Sequence, residues 1–262
     1  MGSQQLLDPL PVVGVFVVFA VIALATYEVG YRLGLWWQQR TPDEKEGPTA
    51  MLVGSLLALM AFLLAVTMGM ASDRFDTRRG LVLQEANAIG TVYLRAGYLP
   101  EPAADQTREL LREYVPLRIN TADQDQLAAN FARSAQIQAQ LWGIVEPLAR
   151  STPDSQVLAI YIGALNDMID LGETRLTAIV YARVPETIIW MLFLGAALTL
   201  GMVGYHAGLH RRRGLVGAVV LVVVLGAVIT LVVDLDRPRD GFLQVSQQPL
   251  LDVQQQIGAP PG

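Results

Sequence analysis

Four runs without a charged residue stand out along the chain: residues 9–27, 47–72, 187–205 and 214–233, of 19, 26, 19 and 20 residues. Each is rich in Leu, Val, Ile, Ala or Met, and each comes close to the roughly 20 apolar residues an α-helix needs to cross a bilayer. Four transmembrane helices are therefore predicted. The first run carries Ala23, Leu24 and Ala25, as a leader cleavage site would, but no Lys or Arg precedes it and Asp8 is acidic. A secretory leader needs a basic segment there, so this run is read as a retained span. Leu6 also stands where myristoylation needs Ser or Thr.

Helical periodicity continues beyond the spans. After Tyr27, Glu28 and Arg32 lie four apart in the favourable order for a helical ion pair. Gly30 and Gly34 have the spacing that lets membrane helices approach closely. Trp36 and Trp37 suit a membrane interface, and Pro42 and Pro48 bound a short turn. Between the second and third spans, residues 73–184 repeat apolar positions at helical spacing. No breaker precedes Pro100, so helix two is expected to continue beyond the bilayer. Further helices are expected around Leu110, Leu111, Tyr114 and Leu117, where Pro116 should introduce a kink. Others are expected around Leu127, Phe131, Leu141 and Leu148, and around Leu158, Tyr161, Leu165 and Met168. Pro185 suits the first turn of helix three. No segment alternates strictly, so no sheet is predicted.

The fold class is an all-α membrane protein with a large helical extramembrane insert between transmembrane helices 2 and 3. Residues 1–72 hold helices 1 and 2, 73–184 the insert, 185–233 helices 3 and 4, and 234–262 an elbow with a short tail helix.

Composition agrees: 52% of residues are hydrophobic and only 16% charged, against about 25% charged in soluble domains. The net charge of −5 excludes a basic nucleic-acid surface. With no cysteine there are no disulfides, thiolate metal sites or cysteine nucleophiles. Eighteen arginines accompany a single lysine, Lys45. Charge does not fix the orientation. Arg40, Lys45, Arg211, Arg212 and Arg213 flank the short loops, while Arg74, Arg78, Arg79, Arg183, Arg237 and Arg239 flank spans on the side of the insert.

Four strings carry a family resemblance: "AFLLAVTMGMASDRFDTRRGLVLQEANAIGTVYLRAGYLPEP", "LREYVPLR", "ALNDMIDLGETR" and "VDLDRPRDGFLQVSQQPLLDV". In these strings and in span order the chain resembles the bestrophin-like family of bacterial membrane proteins, distantly similar to the bestrophin anion channels. The resemblance implies a homo-oligomer, pentameric as in bestrophins, embedded in the bacterial cell membrane, with a cytoplasmic insert. It also implies inorganic anions as the permeating partners. In bestrophins helix two lines the narrow part of the pore with bulky apolar residues, a role that would fall on residues 51–72 here.

Helix two carries small residues at helical spacing, Gly54, Ala58, Ala61 and Ala65, continued by Met68 and Ser72. These are the pore-lining candidates, apolar enough to gate by dewetting; the alternative is close helix packing. Arg78 and Arg79, repeated around an oligomer, would form an anion-attracting mouth, or else they are snorkelling residues at the interface. Glu85, Arg95, Asp170 and Arg175 are expected in a structural charge network, since buried charge must be paired. Asp234, Asp236 and Arg237 are expected in an elbow stopped by Pro238 and turned at Gly241. Calcium is disfavoured there because the acids sit among arginines at a spacing unlike an EF-hand. His206 and His210, four apart, lack a third metal ligand. No catalytic motif is found, so no enzyme, cofactor or metal is expected. The leading function is an oligomeric, anion-selective ion channel; the alternative is a non-conducting membrane scaffold or sensor whose insert binds a partner.

Overall fold

The computed structural model describes residues 9–41, 47–119, 124–181, 183–237 and 241–258. Among them there are eight helices and no strand: α1 (Val12–Arg40), α2 (Gly47–Ala96), α3 (Ala103–Arg118), α4 (Gln124–Ser151), α5 (Gln156–Val180), α6 (Glu186–Leu209), α7 (Leu215–Asp236) and α8 (Gln248–Gln256). α1, α2, α6 and α7 are long and apolar enough to cross a membrane. Helix two runs on to Ala96 as one helix of 50 residues. α3 continues through Pro116 to Arg118, because the proline falls in its last turn, where little helix remains to disrupt. The Ser155 hydroxyl accepts the Leu158 N–H at 3.2 Å and caps the start of α5.

The described residues group into two compact units: those within 1–75 and 182–244, and those within 76–181 and 245–262. In the first, Val15, Phe19 and Ala23 of α1, Met60 and Leu64 of α2, Leu192, Phe193, Ala196 and Leu200 of α6, and Val222, Leu225 and Ile229 of α7 share one buried core. Phe19 meets Phe193 edge-on, with ring centroids 5.6 Å apart. The outward faces stay apolar, with Val13, Val17 and Val21 of α1, Leu194 and Leu198 of α6 and Val216 and Val220 of α7 all exposed. An apolar exterior around an apolar core is the pattern of a bundle solvated by lipid.

Glycine sets the α1–α6 spacing. A Cβ on Gly30 would overlap the Gly201 carbonyl oxygen, and one on Gly34 that of Tyr205. From the other side, Gly204 lies against the Tyr27 carbonyl and Gly208 against that of Tyr31. Both helices therefore use two glycines four apart, and the backbones touch. Lipid tails are as apolar as side chains, so such contact replaces the hydrophobic drive that water would supply.

The second unit packs Val82, Ala86 and Ile89 of α2, Leu111, Tyr114 and Val115 of α3, Ile137 and Leu141 of α4, Tyr161, Leu165 and Met168 of α5, and Leu250 and Val253 of α8. The tail helix α8 belongs to this core and is amphipathic, with Leu251 and Asp252 left exposed.

Candidate functional site

At about 100° per residue, Met60, Leu64, Thr67 and Ala71 of α2 fall on one line, and all four are buried. Gly54, Ala58, Ala61 and Ala65 occupy the far side and are exposed; Met68 and Ser72 are half-buried at its edge. A Cβ on Gly54 or on Gly69 would meet nothing within 4 Å. The small residues thus do not serve helix packing within one chain. Beside them runs a second exposed band of larger side chains, Leu59, Phe62 and Val66, at 54%, 63% and 48% exposure. The outward surface of α2 is accordingly divided lengthwise into a narrow small-residue half and a bulky apolar half. Past Ser72 the two arginines part: Arg78 is buried at 4% exposure, whereas Arg79 is exposed.

The charge network centres on Glu85, which has no exposed surface. Arg118 Nε donates to Glu85 Oε1 at 2.5 Å, and Arg175 Nη1 donates to Glu85 Oε2 at 2.6 Å. Arg118 also donates to the Gly172 carbonyl at 3.1 Å, and Arg175 to the Arg118 carbonyl at 3.0 Å and to Gln247 Oε1 at 2.9 Å. Gly172 leaves room for this, since a Cβ there would lie 3.3 Å from the Tyr114 hydroxyl and 3.4 Å from Arg118 Nη2. Burial works against the Arg118 charge, yet the Glu85 carboxylate holds its pKa above the ordinary value. Two residues expected in this network lie elsewhere. Arg95 donates to the Ile160 carbonyl at 2.9 Å, its turn of α2 facing the first turns of α5. Asp170 is exposed and accepts from Asn166 at 3.3 Å, one helical turn away on its own helix.

The acids at the end of α7 are buried, Asp234 at 2% and Asp236 at 1% exposure. Asp234 accepts the backbone N–H groups of Phe242 at 2.8 Å and Leu243 at 3.1 Å, folding the chain back after the helix. Asp236 accepts the Val184 N–H at 2.6 Å and Arg183 Nε at 3.3 Å, tying the end of α7 to the start of α6. Arg237 donates to the Leu10 carbonyl at 2.7 Å and reaches the start of α1. All four carboxylate oxygens of the pair accept from hydrogen-bond donors, an arrangement that closes a turn. Pro238, Arg239 and Asp240 lie outside the described residues. His206 Nδ1 meets Thr49 Oγ1 at 3.1 Å, and His210 Nδ1 bonds the His206 carbonyl at 2.8 Å.

Arg118 was not singled out from the sequence, and Arg183 was noted only as a charge flanking a span. For Arg118 the signal was present: Leu111, Tyr114, Val115 and Arg118 form an i, i+3, i+4, i+7 stripe, so an arginine stands at a core position of α3. Arg183 has no such signal, because it precedes α6 in a connecting segment.

Four membrane-length helices, an extended second helix and a helical unit built around a buried Arg–Glu–Arg set define a multi-pass helical membrane protein. The chain belongs to the bestrophin-like family: the model of the Bestrophin-like domain matches residues 15–250. Among solved structures, it is similar to variants of a bacterial bestrophin homologue from Klebsiella pneumoniae. One has 12% identity and a TM-score of 0.69 over 94% of this chain and 97% of that one. Another has 13% identity and a TM-score of 0.68 over 90% and 97%. The structure of a bacterial homologue from the same organism solved by zinc phasing has 12% identity and a TM-score of 0.66 over 93% and 96%. At these identities the likeness is one of fold. No curated protein matches the chain.

Proposed function

We propose that copies of this chain assemble around a central axis, as a pentamer, into an anion-selective channel in the bacterial inner membrane. The small-residue half of α2 faces that axis. The observation that carries this reading is the exposed line Gly54, Ala58, Ala61 and Ala65, on a membrane helix whose opposite side is buried. A wall of glycine and alanine is apolar and narrow in profile, so neighbouring copies can approach without filling the space between them. A pore walled in this way conducts only when wetted, and wetting becomes its gate. Arg79 is exposed on the same side, about 100° per residue carrying it into line with Ala61 and Ser72. One Arg79 from each copy makes a ring of positive charge that raises the local anion concentration. Arg78 is buried, so the mouth role falls on Arg79 alone.

A second reading of the pore wall is favoured by the exposure of Leu59, Phe62 and Val66. In this reading the bulky band forms the constriction and the small band packs against the neighbouring copy. The two differ in single cysteine variants tested for block by a charged thiol reagent during chloride flux. Block at Ala58 and Ala61 but not at Leu59 and Phe62 supports the first; the reverse supports the second. A protein that is monomeric in mild detergent and carries no chloride would leave the scaffold as the better account.

A further inference from the structure

The geometry points to a docking site for an anionic phospholipid at the α6–α7 turn. Arg211, Arg212 and Arg213 follow one another there, all exposed. Arg211 has φ 51, a left-handed conformation that glycine would adopt with less strain. Its Nε donates to Gln38 Oε1 at 2.7 Å, which fixes the turn against the last part of α1. Arg213 stacks over the Tyr31 ring at 4.8 Å and reaches Glu28 at 3.4 Å, and Glu28 is shared with Arg32 at 2.8 Å. Arg32 and Arg213 share the Glu28 carboxylate, and the exposed Arg211 and Arg212 add two further positive charges in the same turn.

What lies next to the arginines identifies the ligand. α7 begins at Leu215, two residues after the triplet, and its outer face is apolar and charge-free. Val216, Val220 and Val223 are 80%, 56% and 48% exposed along that face. On α1, Trp36 and Trp37 remain 46% and 39% exposed, as side chains of the headgroup layer do. A free phosphate would use only the arginines. A phospholipid with a net negative headgroup uses both parts, its phosphate at the triplet and its acyl chains along α7. The site is independent of whether the protein conducts.

The test is native mass spectrometry of the full-length protein in detergent, titrated with dioleoylphosphatidylglycerol or with dioleoylphosphatidylcholine. The wild type should retain the phosphatidylglycerol in preference. Arg212→Gln/Arg213→Gln should lose that preference by about fivefold for each arginine removed, while the equally charge-reduced Arg133→Gln/Arg150→Gln, both with solvent-accessible side chains on α4, should keep it. Should the double variant fail to fold, Arg212→Gln alone, at an exposed position, must still lower it. Equal retention of the two lipids by the wild type, unchanged preference in the Arg212 variants, or an equal loss in the Arg133/Arg150 control would each overturn the site.

Discussion

Glu85 lies without exposed surface between two guanidinium groups, and its carboxylate is needed by both. Replacing it with glutamine preserves shape but removes the negative charge. A buried ion set broken in this way costs about 3–5 kcal/mol. Glu85→Gln is therefore expected to lower the unfolding free energy of the protein by that amount, whereas Asp170→Asn, on an exposed side chain, should stay within about 0.5 kcal/mol. Tyr161 gives a pH-dependent counterpart. Burial pushes its phenol up to about 12 from an ordinary 10.0. The unfolded chain ionises first as pH rises, so this group's contribution is intact below pH 10.0 and is lost between there and about 12. Tyr161→Phe should flatten the alkaline loss of stability over that interval, measured as melting temperature against pH. The charged core was partly legible in the sequence. Glu85 sits on the stripe Val82, Ala86, Ile89, and Arg175 on the stripe Leu165, Met168, so both occupy positions where an apolar residue belongs. Which charge meets which was not legible, because pairing depends on how separate helices are rotated about their axes. Arg95 and Asp170 show this: both lie on the right helices, but their side chains leave the network.

At the scale of the helix, sequence reading succeeds where one helix alone determines the outcome. The charge-free runs marked the four membrane helices, and the unbroken stretch to Pro100 marked the length of α2. The Gly30/Gly34 spacing pointed to a close helix contact, but its partner glycines, Gly204 and Gly208, became apparent only in three dimensions. Because the carbonyls of Gly201 and Tyr27 fill the space, Gly30→Val or Gly204→Val must force α1 and α6 apart. A loss of about 1–3 kcal/mol or more is expected from such overpacking, read as a drop in melting temperature in detergent. Gly54→Ala, with open space around it, should leave the melting temperature unchanged. The turn after α7 obeys the same local logic. Asp236→Asn keeps an acceptor for the Val184 N–H but weakens the charged bond to Arg183, and should cost about 1–2 kcal/mol.

For the molecule as a whole, family membership and a divided outer face on α2 support the proposed ring of copies with a common pore. Composition could place the chain in a membrane, but it could not choose a pore face, since lipid, pore and neighbouring copy all accept apolar side chains. The exposed Arg79, seven residues past Ser72 on α2, offers a way to separate them. Arg79 matters to conduction only if its copies converge on an axis. Chloride efflux from liposomes holding the purified protein, wild type against Arg79→Ala, is therefore the most direct measurement. The account predicts efflux well above empty liposomes in the wild type, and a lower rate with reduced preference for chloride over sodium in the variant. Efflux no greater than that of empty liposomes, from protein shown to be folded and assembled, would contradict it.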